Sequence, residues 1–154
     1  MNFTSVLHQI EIAIQSIIKI IDQLEEEDLT KRPTPNKHSI GELLEHIAVL
    51  CEADLHIANE TTEGAMSQFY ATVSYQTLKE LKNGLQHHFQ VLTQHYLTLS
   101  DSELLTPTTS YWGVTYTKYE WLLEILGHIY HHRGQLHAML VHCYNKDPKI
   151  PLFE

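Results

Sequence analysis

The hydrophobic positions of this chain fall into four helical patterns, and no stretch alternates as a strand would. The first pattern runs from about Asn2 to Glu26. Phe3, Leu7, Ile10, Ile14, Ile17, Ile21 and Leu24 follow alternating steps of four and three, the spacing of a seam along one helix face. Val6, Ile18 and Ile20 widen the stripe. A stripe of that width fits a deeply embedded helix, and equally a helix with a second buried surface such as a dimer contact. Pro33 and Pro35 make Asp28 to Lys37 a connector. Ser39 and Glu42 then have capping-box spacing and open the second helix, which carries Ile40, Leu43, Leu44, Ile47, Leu50 and Cys51 and fades near Glu60.

Thr61 to Val73 is mixed and aperiodic. The third helix is expected from about Ser74 to Leu99, with a seam through Leu78, Leu81, Leu85, Phe89, Leu92 and Tyr96. Asp101 to Tyr116 reads as a loop containing Pro107, Tyr111, Trp112 and Gly113. Thr117 and Glu120 form another capping box, and the fourth helix continues to about Tyr144. Helices of this length each span about 30 to 40 Å. The connector from Thr61 to Val73 can stretch about 43 Å, enough to run back along the bundle. The pattern therefore predicts an all-α fold: a four-helix bundle with one long crossover between the second and third helices, as a single domain over residues 1–154.

Composition narrows the function classes. A formal net charge of −9 with no basic block disfavours nucleic acid and anionic membranes, both of which need Lys and Arg. Two cysteines, Cys51 and Cys143, give no disulfide framework. No secretory leader pattern or bilayer-length apolar run is visible, so a cytoplasmic location is expected.

Twelve histidines are many, and three of them sit where packing calls for apolar residues. The fourth helix has a seam through Trp121, Ile125, His128, His132, Gln135, Met139 and Cys143; in the second, Leu43, His46 and Leu50 share a face. His128 and His132 are one turn apart, so both rings leave the same face. Three inward imidazoles from two helices would each cost a few kcal/mol without partners. A single inward histidine is usually a hydrogen-bonded core ring, but three together favour a shared transition-metal ion.

The other histidines are weaker candidates. His131 lies about 100° around the helix from His132 and reads as exposed, and His137 is rotated about 140°. His88 or His95 is a minor candidate for a fourth ligand; His8, His38, His56, His87 and His142 read as surface residues. Cys143 lies about 16 Å along the axis from His132, too far to join it, and Cys51 reads as a small core residue. Glu124 and Gln135 are candidates for an outer layer around the ligands, with an ordinary solvated role the alternative for Glu124. Gly127 and Gly134 would let a neighbouring helix approach closely. Arg133 is expected in a structural ion pair, or else at an acidic group of a substrate or partner.

The segments Ser39–Ala48 (SIGELLEHIA) and His128–Leu136 (HIYHHRGQL), with the Tyr-Trp-Gly loop between the third and fourth helices, resemble the DinB/YfiT-like superfamily. The resemblance implies an up-down-down-up bundle, often a homodimer, with one divalent metal held by His46, His128 and His132; imidazole ligands suit zinc, nickel or iron. The activities it implies are not uniform: transfer of a low-molecular-weight thiol to a small electrophile, isomerisation with such a thiol as cofactor, or metal-dependent hydrolysis, with many relatives having no established activity. Three neutral imidazoles leave an open metal position, as catalytic sites require. A non-catalytic bundle stabilised by its metal, and a metal-free bundle, are the competing readings.

Overall fold

The computed structural model describes residues 3–153. Its long helices are α1 (Phe3–Ile21), α2 (Ile40–Ala58), α4 (Leu78–Leu97) and α6 (Lys118–Ala138). Two shorter ones are α3 (Glu63–Thr72) and α5 (Asp101–Leu104). Asn2, the expected start of the first helix, lies outside the described residues. The α1 stripe is almost entirely buried from Val6 to Ile21 because α1 packs against both α4 and α6. That explains its width without a second surface. The helix ends at Ile21 rather than Glu26, yet Leu24 stays in the core, followed by a 3-10 turn over Glu26–Thr30.

Helix α2 packs against the same two neighbours, α4 and α6, so α1 and α2 lie diagonally across the core. Cross-helix hydrogen bonds give the directions. Tyr130 and Arg133 of α6 reach Gln9 and Ser16 of α1 in ascending order, so α1 and α6 are parallel. His128 and His132 of α6 meet Asp54 and His46 of α2 in descending order, so those two are antiparallel. Glu45 meets Tyr75 just before α4, and Glu52 meets His88 within it, so α2 and α4 are parallel. The topology is up-down-down-up, and the crossover joins α2 to α4.

Capping explains where the helices begin. Ser39, Thr77, Ser100 and Thr117 each accept from the amide three residues on, while the glutamate there reaches back. Thr77 thus starts the third long helix at Leu78, not near Ser74. The segment expected to be aperiodic contains α3, capped by Thr62; only Met66 of this helix is buried, so it has no stripe to detect. Likewise the expected loop before α6 holds α5 and a two-stranded hairpin, β1 (Pro107–Thr109) and β2 (Thr115–Thr117). A turn closes it, with Gly113 donating to the Ser110 carbonyl at 2.9 Å and adopting φ +94°, a conformation a side chain would oppose. Past Ala138 the last helix widens into a π-turn, Met139–Cys143. None of the described helices is long and apolar enough to cross a membrane.

Candidate metal centre

The antiparallel contact of α2 and α6 brings His46, His128 and His132 together. The Nε2 atoms of His46 and His132 are 3.1 Å apart, and those of His132 and His128 are 3.0 Å apart. One nitrogen from each ring lies within 4.8 Å of the other two, an arrangement that could hold a metal ion. Ligand nitrogens at the corners of a tetrahedron around zinc stand about 3.3 to 3.4 Å apart.

The remaining ring nitrogens decide what the facing ones carry. Nδ1 of His128 is 2.7 Å from a carboxylate oxygen of Asp54. A carboxylate only accepts, so Nδ1 holds the proton and Nε2 of the neutral ring presents a lone pair. Nδ1 of His132 is 2.8 Å from Oε1 of Gln135, with the same consequence. With both rings neutral, two lone pairs would face each other at 3.0 Å, an arrangement that a proton or a metal ion between them relieves. The donor set suits a borderline transition metal.

Electrostatics act differently on the three rings, favouring the neutral, ligating form of His46 and His132 but not of His128. Burial, reinforced by the imidazoles of His132 and His128, pushes His46 down to about 4, so it is neutral near pH 7. Burial also lowers His132. His128 is raised, chiefly by its hydrogen bond to Asp54. All three rings are half-buried, accessible but shielded.

Two openings meet the trio. A cleft of about 740 Å³ reaches His46 and is lined by Arg32, His38, Glu42, Glu45, Tyr70 and Val73, among others. At its edge the Arg32 guanidinium grips the Glu42 carboxylate with bonds of 2.8 and 2.6 Å. A smaller recess of about 150 Å³ touches His128 between Trp112, Trp121, Ile57, Ile125, Asp54 and Glu124.

The other expectations sort clearly. Gln135 does sit behind a histidine of the trio. Glu124 lines the recess and acts on His128 through its charge, while the carboxylate bonded to that ring is Asp54. Asp54 follows His46 by two helical turns on the face toward α6, so its signal lay in extending that stripe. His88 does not join the trio, for its ring nitrogens meet Glu52 and Tyr75. His95 lies at the far end of α4, against Tyr96. His131 and Cys143 are exposed, and Cys51 is buried.

Three residues depart from expectation. Among the described residues Arg133 makes no ion pair. Its guanidinium donates to Ser16 Oγ and the Leu152 carbonyl, and lies against the rings of Tyr130 and Phe153. It is buried, which excludes a substrate contact. Gly127 and Gly134 allow no close helix approach, since a Cβ at either would meet nothing within 4 Å.

The profile of the DinB superfamily matches residues 9–136, a span that includes all three histidines. The chain belongs to the DinB superfamily. Among solved structures, a protein assigned to the DinB family from Exiguobacterium sibiricum 255-15 is 34% identical, with 99% of each chain covered and a TM-score of 0.85. A DinB-like protein from Bacillus cereus ATCC 10987 has the same fold at a TM-score of 0.72, with 20% identity over 88% of each chain. No curated protein matches the chain. The DinB fold accounts for the architecture, and fold alone names no reaction.

Proposed function

We propose that His46, His128 and His132 bind one divalent transition-metal ion, and that this DinB protein is a metal-dependent enzyme joining a low-molecular-weight thiol to a small electrophile. The observation that carries the reading is the convergence of ring nitrogens of His46, His128 and His132 within 4.8 Å of one another, with the Nδ1 atoms of His128 and His132 turned to Asp54 and Gln135. A divalent ion bound by three neutral imidazoles supplies Lewis acidity with an open position and favours a thiolate at neutral pH.

The chain's own residues supply the rest. Asp54 and Gln135 hold the ligand rings in one tautomer and one orientation. The cleft beside His46 is large enough for a thiol of several functional groups, and Tyr70 and the Arg32–Glu42 pair give it polar walls. The recess beside His128 is mostly apolar, and its two indoles suit the carbon skeleton of the electrophile.

The test is conjugation of small thiols to a model electrophile by the metal-loaded protein. The expected result is a metal-dependent rate that His132→Ala abolishes. Absence of any metal-dependent conjugation would remove the thiol-transfer reading. Ester or amide hydrolysis that proceeds without thiol would replace it with hydrolysis at the same site.

A further inference from the structure

We infer that the DinB chain carries a second divalent-metal site, on a face of α2 turned away from α6, formed by Glu52 of α2 with His87 and His88 of α4. This inference is independent of the proposed reaction and of the first histidine cluster.

Glu52 lies six residues after His46, about 9 Å along the axis and about 120° around it, so it points to α4 rather than α6. Its two oxygens are divided between neighbours: one is 2.6 Å from His88 Nδ1 and the other 3.4 Å from His56 Nε2. Ligand atoms of Glu52, His87 and His88 all lie within 4.8 Å of one another. Glu52 of α2 and the adjacent His87 and His88 of α4 supply the donors, with His56, one turn along α2 from Glu52, at the margin of the site.

The charge balance points to a cation. The Glu52 side chain is only 17% exposed, and its ion-pair partners among the described residues are imidazoles, which need not be charged. No Lys or Arg of the described residues neutralises it. A half-buried carboxylate flanked by imidazole nitrogens is the donor set of a zinc-like ion.

The surroundings are built to hold these rings. Phe69 of α3 stands edge-on to both His56 and His88, with centroids 5.0 and 6.3 Å away. Behind His88, which is buried, the Tyr75 hydroxyl is 2.7 Å from Nε2. With Nδ1 given to a metal, the ring proton would move to Nε2 and donate to the Tyr75 oxygen, the outer contact typical of a metal-bound histidine. Tyr75 can stand there because residue 84 is glycine: a Cβ would lie 2.6 Å from its ring.

The experiment uses untagged full-length protein stripped with a chelator and titrated with zinc by calorimetry. Wild type is expected to bind two ions per chain. His46→Ala/His132→Ala should retain one, and adding His87→Ala or Glu52→Gln to that variant should weaken it by about tenfold or more. His87 is exposed, so His87→Ala tests the site even if Glu52→Gln fails to fold. No zinc bound by the His46→Ala/His132→Ala protein would overturn the inference. So would binding that His87→Ala leaves unchanged.

Discussion

Asp54 fixes the proton on His128, and through it the direction in which that ring can bind a cation. Its replacement tests the tautomer argument without removing a ligand. Asp54→Asn should lower zinc affinity by about 10- to 100-fold, measured by competition with a chromophoric chelator, while leaving the circular dichroism spectrum unchanged. An unchanged affinity would mean that the ring's orientation does not depend on this contact. The three histidines themselves were legible in the sequence because each interrupts an apolar seam, and an interrupted seam is visible one helix at a time. Asp54 was not, since its partner is 74 residues away and a carboxylate on a half-exposed helix face looks solvated. Arg133 was misjudged for a related reason: an arginine satisfied by a carbonyl, a hydroxyl and two aromatic faces leaves no complementary charge in the sequence.

The elements that pack on two neighbours announced themselves, and those that pack on one side did not. Helices α1, α2 and α4 and the first part of α6 were readable from their stripes and capping boxes. Helix α3 has one buried residue and the hairpin has strands of three residues, too short to show a period. The glycines make contrasting predictions at this scale. Gly127→Ala and Gly134→Ala should each stabilise α6 by about 0.5–1 kcal/mol, because alanine favours helix and the added Cβ meets nothing. Gly84→Ala should destabilise by about 1–3 kcal/mol, since its Cβ would displace the Tyr75 ring. Urea unfolding of the three variants distinguishes these signs, and stabilisation by Gly84→Ala would contradict the packing described around Tyr75.

At the scale of the molecule, the bundle's loose ends are tied by buried charge. Asp28, 2% exposed, lies in the 3-10 turn after α1 and is ion-paired with Lys31 at 2.6 Å and with Lys146 from beyond α6. Burial alone would raise its carboxyl, but the Glu25 amide and the two ammonium groups outweigh it and hold it at about 2. The folded protein therefore binds that proton less readily than the unfolded chain does. Asp28 should contribute about 2 kcal/mol above pH 4, lost as the pH falls toward 2. Asp28→Asn should remove that part of the acid dependence, as seen in urea midpoints from pH 5 to pH 2; an identical pH slope in wild type and variant would refute the assignment. The central claim, a metal centre joining α2 to α6, is tested most directly by zinc titration of untagged, metal-stripped wild type against His132→Ala. The variant is predicted to bind one ion fewer per chain, and equal zinc content in the two proteins would contradict the claim.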